Sequence, residues 1–102
     1  MGQVRYSPSA RADLEKIASE IIDNNGAIVA ARVLRRMRRS LSNLGDYPEI
    51  GRKRPQLGRG VRSWPFRPWI AFYRRAGDDV EVIRVIHGKR RINRKLLLSV
   101  PD

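Results

Sequence analysis

Residues 69–87, WIAFYRRAGDDVEVIRVIH, decide how this chain folds. Trp69 to Arg74 and Val80 to His87 are two runs rich in aromatic and β-branched residues. Between them, Ala76-Gly77-Asp78-Asp79 has the Gly and Asp that a tight hairpin turn needs, so the stretch predicts two antiparallel strands. Asp78 and Asp79 resemble an acid or metal pair, but no third ligand lies nearby in sequence and the turn accounts for them. In the second strand Val80, Val82, Ile83, Val85 and Ile86 fall on both faces. That pattern predicts a central strand, covered by helices on one side and partly by the C-terminal segment on the other. A third strand, Val61 to Phe66, precedes the hairpin, and Pro65 and Pro68 predict that it is an edge strand or carries a bulge.

Upstream, Gly45 to Gly60 is dense in Gly and Pro and has no period, which predicts a loop. Before it, Ala30, Val33, Leu34, Met37, Leu41 and Leu44 mark one face of a helix from about Ala27 to Leu44, with Arg32, Arg35, Arg36, Arg38 and Arg39 around the rest. An earlier helix starts at Ser7-Pro8, a cap followed by a residue suited to the first helical position. Its apolar face is Ala10, Leu14, Ile17, Ala18, Ile21 and Ile22, and Arg11, Asp13, Glu15, Lys16 and Glu20 are expected to point elsewhere. Asn24, Asn25 and Gly26 stop this helix and begin an antiparallel helix hairpin. Gln3 to Tyr6 reads as a short first strand. After Gly88, the cations Lys89, Arg90, Arg91, Arg94 and Lys95 precede Leu96, Leu97, Leu98 and Val100, a segment open to either a short helix or an extended tail. The expected fold is α+β in the order β-α-α-β-β-β. A helix hairpin packs on a mainly antiparallel sheet of about four strands, within one domain over residues 1–102. Leu14, Ile17, Ile21, Leu34, Met37 and Leu41 form its expected core.

Composition excludes several functions. The chain has 102 residues and no cysteine, so a disulfide framework, a thiolate zinc site and a Cys nucleophile are ruled out. Histidine occurs once, at His87, and carboxylates are few and scattered, so no metal site and no cofactor are expected. No apolar run approaches a membrane span, and the expected setting is the cytoplasm. Net charge is +12, and it is uneven: residues 1–51 carry eight cations against six acids, residues 52–102 fourteen against four. Arginine supplies 18 of the 22 cations. Such a surface predicts an anionic partner: nucleic acid, a nucleic-acid machine or an acidic protein.

Arg62 and Arg84 fall in predicted strands, where an unpaired ion would be costly in a core, so both are expected to line an exposed groove. Arg52, Lys53, Arg54 and Arg59 would stand near its rim. For phosphoryl transfer the proton-transfer candidate is His87, with Tyr73 as the nearest plausible hydroxyl partner. A lone histidine at a strand end more commonly bonds to a neighbouring loop. Trp64, Phe66, Trp69, Phe72 and Tyr73 interleave with arginines as in a base-stacking platform, but alternation in a half-buried sheet yields the same pattern, and core packing is the favoured reading.

Several segments together resemble the ParE/RelE superfamily of bacterial toxins. They are Tyr6-Ser7-Pro8-Ser9-Ala10 leading to Asp13-Leu14, Leu44-Gly45-Asp46-Tyr47-Pro48-Glu49-Ile50-Gly51, Gly60-Val61-Arg62, Ile70-Ala71-Phe72-Tyr73-Arg74, and Val82-Ile83-Arg84-Val85-Ile86-His87-Gly88 with Arg90-Arg91. The resemblance implies the toxin of a type II toxin–antitoxin system, with a small acidic ParD-like antitoxin as partner. ParE-like members inhibit DNA gyrase; RelE-like members cut mRNA on the ribosome. Arg62, Arg84 and His87 match catalytic positions of some superfamily nucleases. RelE-type sites also carry a tyrosine soon after the last strand, and none follows His87 here. The ParE-like branch is therefore favoured, with the RelE-like ribonuclease as the alternative and a generic basic nucleic-acid or ribosome-associated module as a third reading. The implied target or antitoxin contacts are Arg52, Lys53, Arg54, Arg59, Arg62, Arg84, Arg90, Arg91, Leu96 and Leu97.

Overall fold

A computed structural model describes residues 2–99. The chain runs β1 (Val4–Tyr6), α1 (Pro8–Asn25), α2 (Ala27–Asp46), β2 (Arg52–Lys53), a 3-10 turn (Pro55–Leu57), β3 (Arg62–Phe66), β4 (Trp69–Ala76), β5 (Asp79–His87) and α3 (Arg94–Leu98). One five-stranded sheet has the order β1-β5-β4-β3-β2. Among the described residues only β1 pairs in parallel, with β5; the other three pairings are antiparallel.

Local chemistry accounts for the helix hairpin. The Ser7 hydroxyl accepts from the Ala10 N–H at 3.0 Å and donates to the Ile83 carbonyl at 2.7 Å, so one residue caps α1 and ties it to β5. Gly26, at φ 89, serves as the end of α1 and the start of α2. Any side chain there would be strained, and a single residue suffices to reverse the chain because that backbone is open to glycine.

The hairpin covers one face of the sheet. Ala10, Leu14, Ile17, Met37, Leu41 and Leu44 pack on Ala71, Tyr73, Val80, Val82 and Val85, while Ile21 and Leu34, expected in the core, are only partly buried against it. A smaller second core lies on the opposite face, where Leu57, Val61, Phe72, Ile86 and Leu97 meet beneath α3 and the 3-10 turn. Aromatic side chains go into this packing: Phe72 and Tyr73 are fully buried, and Trp64, Phe66 and Trp69 lie against the main core.

Three differences from the sequence expectation, and one alternative that it left open, have simple causes. The expected loop 45–60 contains a fifth strand, because Arg52 and Lys53 pair with Ser63 and Arg62; two charged residues held by backbone bonds leave no periodic signal. β3 is consequently an interior strand over Arg62 and Ser63 and an open edge at Pro65, where a missing N–H costs nothing. β5 carries a bulge: Phe72 faces Arg84 and Tyr73 faces Val82, so Ile83 is the extra residue, and Val82 and Val85 can both face the helices. The C-terminal segment is a short helix capped by the Asn93 side chain, which accepts from Leu96 N–H at 2.8 Å; Val100, expected to extend its apolar run, lies outside the described residues.

Candidate functional site

Ala10, Asp13, Leu14 and Ile17 are spaced i, i+3, i+4 and i+7 and are all buried, so Asp13 belongs to the core face of α1. This corrects the expectation that it points away. Its partner is Arg84, whose Nε and Nη2 donate to the two carboxylate oxygens at 2.7 and 3.0 Å. This two-pronged pairing is the strong form of the carboxylate–guanidinium contact. The same carboxylate accepts the Val85 N–H at 2.9 Å. The reason lies in strand length: β1 ends at Tyr6, opposite Val82, and beyond it Asp13 supplies an acceptor that a longer β1 would have offered. Arg84 Nη1 donates to the carbonyls of Leu96 and Ser99 at 2.8 and 2.9 Å, joining α1, β5 and the end of α3. Arg84 therefore does not stand exposed in a groove: its side chain reaches the wall of a cleft but is 2% exposed, and all three of its nitrogens are bonded in holding three elements together.

A second polar cluster fixes the backbone after α2. The Tyr73 hydroxyl donates to the Pro48 carbonyl at 2.9 Å and accepts from Gly51 N–H at 2.8 Å. Arg62 Nη1 donates to the carbonyls of Glu49 and Gly51 at 3.0 and 2.9 Å. Burial pushes the Tyr73 phenol above its ordinary range, opposed by the Gly51 N–H and the Arg62 charge. Burial likewise raises Tyr6, with Arg38 opposing. A Cβ at Gly51 would collide with the Tyr73 hydroxyl and the Ser63 carbonyl, so close approach requires glycine here.

His87 sits opposite Trp69, its ring edge-on at 6.4 Å between centroids, and its Nδ1 accepts from Lys89 N–H at 3.1 Å. It borders a cleft of about 410 Å³ between α1 and β5, whose lining also includes Asp13, Lys16, Glu20, Arg84 and Arg90. Tyr73 is not its partner, because Tyr73 faces Val82 and Arg62. Arg62 and His87 are thus opposite residues four positions apart on β4, about 13 Å at roughly 3.3 Å per residue. Arg84 and His87 share that cleft, but Arg84 is already bonded to Asp13, Leu96 and Ser99 and Arg62 lies outside it, so the three are not brought around one point.

The remaining candidates spread around the molecule. Arg52, Lys53, Arg59, Arg90 and Arg91 are exposed. Arg54 lies half-buried, its guanidinium 6.0 Å above the Phe72 ring. Leu97 is buried in the second core and Leu96 partly so, which leaves Leu98, 68% exposed, as the apolar side chain that α3 offers to solvent. Among the described residues, no group of three or more His, Cys, Asp or Glu could hold a metal ion, and no helix is long and apolar enough to cross a membrane.

Asp13 was the residue that sequence reasoning missed. The signal was present: one acid in the i, i+3, i+4, i+7 face of α1 and one arginine inside the most apolar strand, two charges that core positions tolerate only as a pair.

Comparison with known proteins bears on the whole arrangement. The sequence model of the family described as "ParE toxin of type II toxin-antitoxin system, parDE" matches residues 4–92. Toxin ParE3 of Caulobacter vibrioides is 31% identical over 96 residues, which cover 94% of this chain and 96% of that protein. Toxin ParE1 of Mycobacterium tuberculosis is 31% identical over 91 residues, 88% of this chain and 93% of that protein. Among solved structures, the chromosomal ParDE system from P. aeruginosa superposes with a TM-score of 0.74 at 22% identity, covering 85% of this chain and 96% of that one. A chain of the RelBE2 toxin–antitoxin complex from Mycobacterium tuberculosis gives 0.57 at 24% identity, covering 84% and 96%. At those identities the two structures speak for the fold.

Proposed function

The chain belongs to the ParE toxin family of type II toxin–antitoxin systems, and from that premise we propose that it inhibits DNA gyrase and is neutralised by an acidic, ParD-like antitoxin. The state of Arg84 carries the inhibitor over the nuclease. A ribonuclease needs a donor facing the scissile phosphate, and an acid and a base within reach of it. Here Arg84 is committed to Asp13, Leu96 and Ser99, and Arg62 is committed to the loop carbonyls. His87 borders the same cleft as Arg84 but stands apart from Arg62, and its Nδ1 accepts from Lys89 N–H. No proton transfer is asked of these residues in an inhibitor that works by binding. The antitoxin's chemistry follows from the surface: +12 of charge, with Arg90, Arg91, Lys95 and Leu98 exposed near the C-terminus, suits an acidic amphipathic segment that folds on binding. The place of action is the cytoplasm, where gyrase works.

Purified protein should block gyrase supercoiling and leave mRNA intact, and His87→Ala should keep most of its toxicity. Co-expression with the acidic product of the adjacent reading frame should restore growth. Codon-specific cleavage of ribosome-bound mRNA, with supercoiling unaffected, would overturn this reading in favour of the RelE-like ribonuclease.

A further inference from the structure

The outer face of α2 carries unopposed charge. Arg32, Arg35 and Arg39 recur at i, i+3 and i+7, opposite the buried Ala30, Met37, Leu41 and Leu44, and all three are exposed. Arg36 and Arg38 flank them and are exposed too. From Ala27 to Asn43 the helix has no acid and no lysine. Arg32 with Arg36, and Arg35 with Arg39, are therefore like charges one turn apart, a repulsion that a face meant only to be solvated would relieve with an interspersed acid. The acids of other elements do not relieve it either. Among the described residues, every ion pair is made elsewhere and none includes an arginine of α2.

We propose that this face lies along the phosphate backbone of duplex DNA, a sequence-independent contact made beside the toxin's protein target; the choice of DNA rests on the inhibitor reading above, because a toxin bound to an enzyme that acts on DNA stands next to a duplex. Three observations choose a phosphate backbone over the acidic antitoxin. An amphipathic segment needs an apolar surface to receive it, whereas interfaces with DNA are polar and cationic. The five large exposed apolar residues all lie outside the stretch from Arg32 to Asn43, with Ile28 one turn before it and Tyr47 after it. The apolar hollow on this side of the molecule, about 400 Å³ and walled by Val33, Phe66 and Trp69, touches Arg36 but not Arg32, Arg35 or Arg39. Spacing fits as well. Arg32 to Arg39 spans about 10.5 Å of helix axis, a length over which one strand of DNA presents about three phosphates.

Fluorescence anisotropy of the purified toxin with a short labelled DNA duplex, across a salt series, tests this. Arg32→Gln/Arg35→Gln/Arg39→Gln should weaken binding at least about ten-fold at low salt and flatten the slope of log affinity against log salt by about 2.7. Arg35→Gln alone should flatten it by about 0.9. As a control, Arg5→Gln/Arg74→Gln/Arg75→Gln removes the same net charge from arginines that pair with acids, and it should leave affinity within about three-fold of wild type. Equal losses in the two triple variants would overturn the proposal, since net charge alone would then be acting. So would tighter binding to an RNA duplex of the same length. An α2 triple variant that binds DNA as wild type does but no longer captures the antitoxin of the adjacent reading frame would assign the face to the antitoxin instead. Supercoiling is read separately: a wild-type chain that binds DNA through this face and leaves gyrase active sinks the gyrase reading and not the DNA contact.

Discussion

Arg84 occupies a position that another chemistry could have used for catalysis, and here it is spent on architecture. Removing one member of a buried pair leaves the other charge stranded, so Arg84→Ala or Asp13→Ala should cost about 3–5 kcal/mol in urea denaturation. Replacing both with apolar residues, Asp13→Leu with Arg84→Met, should recover much of that loss and leave the unpaired Val85 N–H at about 1–3 kcal/mol. Equal losses in single and double variants would show that the cost is not that of a stranded charge. Tyr73 makes a second residue-scale case. Its phenol is raised above the ordinary range in the folded chain, chiefly by burial. Between the unfolded and folded pKa values the unfolded chain releases the proton and the folded chain keeps it, so stability is intact below about pH 10 and falls as pH rises through that window. Tyr73→Phe should lessen this alkaline loss, and it should cost about 1–3 kcal/mol near neutrality because Gly51 N–H and the Pro48 carbonyl lose their partner. A stability curve in the alkaline range, measured for both proteins, checks both statements.

At the scale of elements, α2 and α3 contribute to different cores. On α2, Met37, Leu41 and Leu44 are wholly buried, whereas Leu34 is only partly so. Leu41→Ala should therefore cost about 2–5 kcal/mol, and Leu34→Ala distinctly less, since a half-exposed site loses less burial and leaves a smaller cavity. Equal shifts in the denaturation midpoint would mean that the two positions are equally enclosed. α3 is short, but it covers Phe72 and Ile86 through Leu97 and supplies carbonyls to Arg84. Truncation after Arg94 should destabilise the toxin itself, lowering its Tm before any partner is considered. Leu98→Ala is the cleaner probe of antitoxin contact, because that side chain is exposed and its loss should leave Tm nearly unchanged.

The molecule as a whole is a small, strongly cationic body, 37 × 31 × 21 Å in extent. With a Debye length of about 8 Å at physiological ionic strength, charges spread over such dimensions steer a partner only from close by. Association with an acidic antitoxin should slow several-fold when salt is raised from low to physiological levels, while dissociation changes much less, because rim charges act mainly on encounter. Stopped-flow mixing across a salt series measures this directly. A rate indifferent to salt would show that apolar contact, not charge, brings the two together.

The order of elements, the helix hairpin, the strand pair around Gly77, the apolar faces of α2 and β5 and that of α1 except for Ile22, which is exposed, and Asp13, which is buried, were legible in the sequence, because each follows from local rules: capping at Ser7, a positive φ at Gly26, periodicities of 3.6 and 2. The cationic surface was legible too, since charge needs no fold to be counted. The fifth strand was not, because Arg52 and Lys53 are held by backbone bonds to Ser63 and Arg62 that no side-chain pattern announces. Nor was the fate of Arg84. Sequence shows only that a charge inside an apolar strand needs a partner or an opening to water, and those two solutions imply different functions. Asp13 lies 71 positions away, and only the packing of α1 across the open edge of β5 brings it within 2.7 Å. The same holds for Tyr73 and Arg62, which meet the loop after α2 from a different strand each. Local propensity determined what the pieces are; contacts between distant pieces, each set by the whole arrangement, decided which polar groups are used up and which face solvent.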